Sequence, residues 1–224
     1  MSAFSSPDAV GSYVERTARI VPGLHDLHRM ASLLLTERAP TDARIMVLGA
    51  GGGLELKVFA EMQPHWSFDG IDPSAEMLQL AQVTLGPLSS RVRFHEGYIE
   101  SAPEGPFDAA ACLLTLHFLP ADARRRTVAE VIRRLRPGAP FVVAHHSFPN
   151  EGPDTDKWLA RNAAFAVASG VPAAQVQGSI ATMKERLPAL SPEQDVAILR
   201  EAGFANVELF YAAFTFKGWV GYKA

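Results

Sequence analysis

The feature that most restricts the fold of this chain is a run of glycines directly after a short apolar segment. The segment Arg44–Leu48 reads RIMVL, Gly49-Ala50-Gly51-Gly52-Gly53 follows it, and a helical pattern begins at Leu54. A strand, turn and helix in this order leave free backbone N–H groups at the positive end of a helix dipole. In an open α/β sheet that point lies at the carboxyl ends of the strands, where ligands bind. The loop therefore predicts a ligand that approaches the backbone closely.

Two further features narrow the kind of ligand. Leu54 stands where the dinucleotide fingerprint needs its third glycine, and no Gly-Lys-Ser/Thr sequence follows, which excludes a Walker-type phosphate loop. Asp72 ends the next apolar run, in GIDPSAEML, and its carboxylate is suited to accept hydrogen bonds from ribose hydroxyls. Together the glycine loop and Asp72 predict a nucleoside with a small polar tail rather than a dinucleotide.

Apolar runs alternate with helical patterns from residue 44 onward, which predicts βαβ units. We expect an α/β fold, a doubly wound Rossmann-like sheet that is mostly parallel. The predicted strands are Ile45–Leu48, Phe68–Ile71, Val92–His95, Ala109–Leu114 and Phe141–Ala144, and the predicted helices between them are Leu54–Met62, Ser74–Leu85 and Ala121–Arg136.

Both flanks of this alternating region have patterns of their own. We interpret the whole chain as one domain with four parts. They are an N-terminal helical cap (1–43), broken at Val21-Pro22-Gly23, a core that binds the ligand (44–149), a helical insertion or lid (150–202), and a C-terminal antiparallel strand pair (203–224).

Composition argues against several classes of partner. The 224 residues have a formal net charge of −3, which gives no reason to expect nucleic acid, and no apolar stretch is long enough to predict a membrane span. The arginines clustered between Arg124 and Arg136 are interpreted as a solvated helix face. The single cysteine, Cys112, is consistent with a reducing compartment, so we expect a cytoplasmic protein.

Five motifs in order resemble a known family. VLGAGGG, GIDPSAEML, RFHEGYIE, FDAAACLLTLHFL and LRPGAPFVVAHHSF, all within residues 44–149, are similar to the motifs of class I S-adenosylmethionine-dependent methyltransferases. The resemblance implies S-adenosyl-L-methionine as the cofactor. It assigns Gly49, Ala50 and Gly51 to the methionine side of this cofactor and Asp72 with Pro73 to the ribose and adenine. It also places Met77, Tyr98 and Ile99 near the adenine, Leu113 near the methionine group and Arg19 near the cofactor carboxylate.

The two ends of the chain resemble a narrower group. RIVPGLHDLHRMASLLLTER and LREAGFANVELFYAAFTFKGWVGYKA are similar to the ends of bacterial carboxy-S-adenosylmethionine synthases, which serve tRNA modification. That group has an arginine for the additional carboxylate, whereas the aligned position here is Ile180 or Ala181. Val47 also replaces an acidic residue that the general family has before its glycines, and Tyr98 replaces an aspartate. Plain S-adenosylmethionine is therefore the expected cofactor.

Methyl transfer requires mainly that the acceptor be held in line with the leaving sulfur. A base is needed when the acceptor is an unionised hydroxyl, amine or acidic carbon. Three histidines follow predicted strands at the same edge of the sheet and are candidates for the base: His117, His145 and His146. Alternation predicts that only one of the adjacent pair contacts ligand, and the spacing of the histidines does not predict a metal site.

Trp158 and Met183, in the helical insertion, are the candidate acceptor-binding residues. We expect a methyltransferase for a small-molecule acceptor, and a homodimer as its assembly. Three alternatives stay open at this point: a carboxy-S-adenosylmethionine synthase variant, a non-catalytic binding protein, and, more distantly, a nicotinamide dehydrogenase.

Overall fold

The computed structural model describes residues 13–224 and has a seven-stranded sheet in the order β3-β2-β1-β4-β5-β7-β6. Strands β1 to β5 are parallel, and β7 runs antiparallel to both β5 and β6. The predicted doubly wound sheet with a C-terminal antiparallel pair is confirmed. The strands are β1 (Arg44–Leu48), β2 (Ser67–Asp72), β3 (Val92–Glu96), β4 (Ala109–Leu113), β5 (Pro140–His146), β6 (Phe204–Ala213) and β7 (Phe216–Lys223).

Eight α-helices in the described residues surround this sheet. No helix in that part of the chain is both long and apolar enough to cross a membrane. The helices are α1 (Tyr13–Ile20), α2 (Leu24–Thr36), α3 (Leu54–Met62), α4 (Ala75–Leu85), α5 (Ala121–Arg134), α6 (Pro153–Ala168), α7 (Ala173–Arg186) and α8 (Pro192–Glu201).

The sheet is covered on both faces, which explains why its central strands are apolar throughout. Every residue of β4 is buried, and β1 is buried from Ile45 onward. One core lies between the sheet and helices α2 and α3, and the other lies between the sheet and helices α5 and α8. Burial on both faces removes the polar alternation of a surface strand and leaves the short apolar runs of the sequence.

Element boundaries differ from the expectations in a few places. Ser74 is the N-cap of α4 and not its first residue, since its hydroxyl accepts a hydrogen bond from the Met77 N–H. Strand β4 ends at Leu113 because Leu114 takes a positive φ of 58°. Helix α5 ends at Arg134, two residues earlier than expected, since Leu135 is already extended.

The interpretation of the arginines as one solvated face is wrong for two of them. Arg125, Arg126 and Arg133 are exposed, but Arg124 and Arg134 are buried, with relative exposures of 1% and 2%. A buried arginine needs acceptors for its donors. Arg134 bonds to Glu130, and the partners of Arg124 belong to the site described below.

The β6–β7 hairpin is tied to the N-terminal helices. The Tyr211 hydroxyl donates a hydrogen bond of 2.6 Å to the Pro22 carbonyl, in the turn between α1 and α2. Burial raises the pKa of Tyr211, so this phenol stays protonated and keeps its donor. The bond holds the N-terminal cap beside the last strands, although 189 residues separate its two ends in sequence.

Buried histidine makes the stability of this fold depend on pH. His28 on α2 is 4% exposed, and burial lowers its pKa to about 4. The unfolded chain therefore binds this proton below about pH 6.5, whereas the folded chain does not. The contribution of neutral, buried His28 to the free energy of unfolding is complete above about pH 6.5 and is lost as the pH falls toward 4. We expect His28→Leu to lose less stability than wild type between pH 7 and pH 5, by about 2 kcal/mol.

Urea unfolding at the two pH values measures this difference, with exposed His65→Leu as the matched control. The same loss of stability in wild type and His28→Leu would show that His28 does not carry the linkage.

Candidate cofactor and acceptor site

The glycine loop joins the end of β1 to the start of α3. Gly49, Gly52 and Gly53 have φ values of 78°, 79° and 71°, a conformation that residues with a side chain rarely adopt. Gly53 is the N-cap of α3 and supplies no side-chain cap to the first turn. The Glu55 N–H of this turn bonds to its own carboxylate, and the neighbouring N–H groups suit an anionic group such as a carboxylate.

Gly51 lies directly against Asp72, at the carboxyl end of β2. Its N–H donates a hydrogen bond of 3.0 Å to Asp72 Oδ2, while Asp72 Oδ1 accepts one of 2.9 Å from the Ser74 N–H. A Cβ atom on Gly51 would lie 2.6 Å from Asp72 Oδ2, so only glycine permits this approach. Burial raises the pKa of Asp72, and the two backbone hydrogen bonds oppose this effect.

Gly49 gives the loop a second close approach, toward the end of β4. A Cβ atom there would lie 1.9 Å from the Thr115 Oγ1 atom. The loop thus contacts the segments that follow β2 and β4 at once. This arrangement forms a narrow cradle at the carboxyl ends of three neighbouring strands, as the sequence predicted for a nucleoside ligand.

The remaining predicted cofactor residues take varied positions. Ala50 lies in the loop, and the Met77 carbonyl accepts a hydrogen bond from the Gly52 N–H. Met77, Ile99 and Leu113 are buried, Pro73 is exposed, and Tyr98 is 64% exposed. Arg19 forms an ion pair with Glu15 on its own helix. The roles of Tyr98 and Arg19 toward the cofactor stay predictions.

The three candidate histidines come together at the ends of β4 and β5. The ring centroids of His117 and His146 are 4.9 Å apart, and those of His117 and His145 are 6.5 Å apart. His145 faces Trp219 on one side of the sheet, whereas His146 stacks on Phe216 at 3.9 Å on the other. The alternation predicted for the adjacent pair is therefore observed.

Hydrogen bonds give His117 and His146 different chemical characters. His117 Nδ1 lies 3.2 Å from the backbone N–H of His146 and accepts its hydrogen bond. A neutral His117 consequently keeps its proton on Nε2 and acts there as a donor. His146 Nδ1 lies 2.9 Å from Thr215 Oγ1, a residue that the sequence did not indicate.

Burial keeps both imidazoles neutral. It lowers the pKa of His117 well below its usual value, with the neighbouring histidines and Arg124 adding to the effect. It also lowers the pKa of His146 to about 3, with a further contribution from His145. Neither ring is positively charged near neutral pH, so the site offers neutral donors and acceptors there.

A buried ionic cluster contacts the histidine group through His145. Arg124 pairs with Asp195 Oδ1, and His145 Nε2 lies 3.2 Å from Asp195 Oδ2. Burial favours the neutral acid, but His145 and Arg124 together lower the pKa of Asp195 below its usual value. Arg124 also donates to the carbonyls of Leu119 and Pro188. The cluster thereby joins α5, α8 and β5 through residues that sequence patterns did not single out.

The helical insertion covers the hairpin beside the histidines. Lys217 Nζ, at the start of β7, lies 5.2 Å from the ring centroid of Trp158 on α6. Phe165 on the same helix contacts Phe214, with centroids 6.3 Å apart. Met183 is half-buried on α7. Trp158 therefore lies near Lys217, whose neighbour in sequence, Phe216, stacks on His146. The roles of Trp158 and Met183 toward an acceptor stay predictions.

Comparison with known proteins agrees with this geometry. Residues 45–138, from β1 to the turn before β5, match the methyltransferase domain family. Human N-acetylserotonin methyltransferase, solved in complex with S-adenosylmethionine, has a similar fold at 15% identity and a TM-score of 0.60. That comparison covers 95% of this chain but only 58% of the human protein.

The fold, the cradle of glycines with Asp72 and the domain match together define the class. Residues 45–138 form a methyltransferase domain, and the chain as a whole has the fold of class I S-adenosylmethionine-dependent methyltransferases. The residues of the cradle fit the cofactor: the first turn of α3, which has no side-chain cap, suits its carboxylate, Asp72 its ribose, and buried Met77 and Ile99 its adenine.

Two known enzymes are similar in sequence to this chain. A carboxy-S-adenosyl-L-methionine synthase from Campylobacter lari is 19% identical over 93% of this chain and 89% of its own length. A trans-aconitate 2-methyltransferase from Azoarcus sp. is 29% identical over 62% of this chain and 56% of its own length. The chain is similar to both, at identities that leave the acceptor open.

The bond between Asp72 and the loop yields a direct test of the cofactor site. Asp72→Asn removes the negative charge and one acceptor. We expect its dissociation constant for S-adenosylhomocysteine to rise about 5- to 150-fold, from the loss of about 1–3 kcal/mol of charge-assisted hydrogen bonding.

Calorimetric titration measures the change, and exposed Asp42→Asn is the control for the loss of one charge. An unchanged dissociation constant in a folded Asp72→Asn protein would contradict the ribose assignment.

Proposed function

We propose that this chain transfers the methyl group of S-adenosylmethionine to a small-molecule acceptor bound against His117 and His146. The observation that carries the proposal is the pairing of these two rings at the edge of the sheet that holds the cofactor loop. The bound cofactor supplies an electrophilic methyl group on a sulfonium. The residues of the chain have to position the acceptor, exclude water and, where needed, accept its proton.

The two histidines have complementary roles in this proposal. His117 donates from Nε2, because its Nδ1 already accepts the His146 N–H. His146 is the proton acceptor, oriented by Thr215 at Nδ1 and by the stacked ring of Phe216. Thr215 is fully buried, which fixes the orientation of His146 more firmly than an exposed partner would.

The low basicity of His146 restricts the acceptor. An imidazole whose pKa is about 3 removes protons effectively only from groups that are themselves acidic. A carboxylate needs no base at all. Phenols, enols and carboxylates therefore fit this site better than aliphatic alcohols or amines. The half-buried ring of Trp158 favours a planar or unsaturated acceptor.

The carboxy-S-adenosylmethionine synthase reaction is the second candidate, because similarity to that group extends over most of the chain. It requires a cation for the additional carboxylate of the cofactor. The sequence places Ile180 or Ala181 at the position of that cation, and Ile180 packs against the small apolar cluster of α6. The basic residues of α7, Lys184 and Arg186, each lie near an acidic side chain. These contacts support methyl transfer over the second candidate.

A test of the base uses the pH dependence of turnover. Because the pKa of His146 is about 3, we expect kcat to show no acidic fall near pH 6.5 and to stay level down to about pH 5. His146→Asn should lower kcat by about 100-fold, the usual scale of general-base catalysis, and leave the binding of S-adenosylhomocysteine unchanged. The measurement is steady-state turnover at saturating cofactor, with His65→Asn as the exposed control.

Wild-type kcat for His146→Asn with an acceptor that must lose a proton would remove His146 from the mechanism. A sharp loss of kcat near pH 6.5 would show that the base is an ordinary, exposed histidine.

A second test decides between the two candidate reactions. The nucleoside that co-purifies with the protein is extracted, and its mass is measured by mass spectrometry. Separately, phenols, enols and carboxylic acids are screened as acceptors with methyl-labelled S-adenosylmethionine. We expect unmodified S-adenosylmethionine or S-adenosylhomocysteine, and label transfer to an acidic acceptor. A cofactor heavier by one carboxylate group would establish the synthase instead. Bound cofactor without methyl transfer to any acceptor would favour the alternative that the chain is a non-catalytic binding protein.

A further inference from the structure

One buried carboxyl group in the described residues differs from the others. Four carboxyl side chains there have relative exposures of 8% or less, and three of them contact a cationic side chain. Glu55 does not: it is 5% exposed, and no ion pair in residues 13–224 includes it. Buried charges are normally paired. The three paired carboxyls are Asp69 with Arg44, Arg93 and His95, Asp108 with Arg136, and Asp195 with Arg124.

The position of Glu55 suggests why it lacks a cation. It is the second residue of α3, two residues after Gly53, so it lies at the helix end that the cofactor loop leads into. The residue of β1 that approaches the loop from the same core is Val47, which is apolar and fully buried. The charges that act on Glu55 come from the cofactor side, where Asp72 ends β2. Glu55 is therefore a buried acid without a cationic partner in residues 13–224, in the first turn of the helix that follows the glycine loop.

We propose that Glu55 binds the α-ammonium group of the methionine part of S-adenosylmethionine and is the cation's partner in the complex. The inference rests on the cofactor assignment made above and adds a residue to it. The α-ammonium is the one part of the methionine end that requires an anionic acceptor. The carboxylate next to it needs donors, which the uncapped first turn of α3 provides.

Binding in this arrangement displaces a proton. Burial raises the pKa of Glu55 to about 8: a hydrogen bond from its own backbone N–H opposes this effect, and the charge of Asp72 adds a smaller increase, so the protein without cofactor carries a neutral Glu55 at pH 7. A cation placed against the carboxyl favours its ionised form. The O–H bond of Glu55 then breaks, its proton passes to the solvent, and the carboxylate remains paired with the ammonium.

The other titratable groups around Glu55 do not replace it in this role. Cys112 on β4 has a pKa raised by burial and stays a thiol. His28 on α2, which packs on α3, has a pKa lowered to about 4 by burial and is neutral. Glu76 on α4 has a pKa lowered by its backbone hydrogen bond and by the Ser74 hydroxyl, so it is ionised before the cofactor binds and has no proton to release. Asp72 is the remaining group, and the variant Asp72→Asn separates its effect on cofactor binding from that of Glu55.

Two ionisations, of Glu55 and of the cofactor α-amino group, make the affinity for the cofactor depend on pH. Below pH 8 each unit of rising pH makes Glu55 easier to ionise, so affinity for the cofactor rises up to tenfold per unit. Above about pH 8 the α-amino group of the cofactor itself loses its proton, and affinity falls again. Affinity should therefore be greatest near pH 8.

The experiment is calorimetric titration of the full chain with S-adenosylhomocysteine at pH 6.5, in two buffers of different ionisation enthalpy. The slope of observed enthalpy against buffer enthalpy counts the protons released. We expect close to one proton for wild type. The same titration with 5′-methylthioadenosine, which has the nucleoside but no amino-acid end, should release none.

Two variants make the assignment specific. Glu55→Gln should abolish the proton release and weaken S-adenosylhomocysteine by about 10- to 100-fold at pH 7.5, with 5′-methylthioadenosine unaffected. Exposed Glu61→Gln, on the same helix, is the matched control and should behave as wild type. Asp72→Asn should weaken both ligands and retain the proton release, since it acts on the ribose.

Each outcome has a distinct meaning. Proton release that persists in Glu55→Gln, or equal weakening of both ligands by this variant, overturns the assignment of Glu55 and leaves the cofactor assignment intact. If wild type binds neither ligand, the cofactor assignment fails and the Glu55 proposal fails with it.

Discussion

The hydrogen bond between the Gly51 N–H and Asp72 Oδ2 is the contact on which the rest of the site depends. It ties the turn after β1 to the end of β2, and a side chain at position 51 would disrupt it. With the loop in this position, α3 begins at Leu54 without a side-chain cap, and Glu55 is buried in its first turn. One backbone contact thus fixes the relative positions of Asp72, the first turn of α3 and Glu55, the residues that we propose hold the ribose, the carboxylate and the ammonium of the cofactor.

The acceptor half of the site is organised differently, by side chains on strands and helices far apart in sequence. His146 is oriented by Thr215, 69 residues away, and Arg124 reaches Asp195, 71 residues away. Buried, neutral imidazoles depend on such fixed partners, because they have no solvent shell to reorient. The cofactor half is therefore local in sequence, and the acceptor half depends on the tertiary structure.

This difference explains what the sequence could predict. The parallel strands were visible as apolar runs because both faces are buried, and Gly51 with Asp72 was visible because a short motif contains the geometry. Thr215, Asp195 and Arg124 have no local signal: Arg124 lies in an arginine-rich helical pattern that is typical of a solvent-exposed face. Glu55 likewise resembles a polar residue of an amphipathic helix, and only its burial in the folded protein distinguishes it.

The helical insertion has a small core of its own, with four buried residues on α6, α7 and the turn between them. Little apolar burial means that the free energy of opening this unit is well below that of unfolding the whole protein. Amides of α7 should then exchange with solvent much faster than those of β1 or β4. In the proposed reaction, local opening of α6 and α7 would admit the acceptor beside Trp158 without any change in the strands that carry the glycine loop.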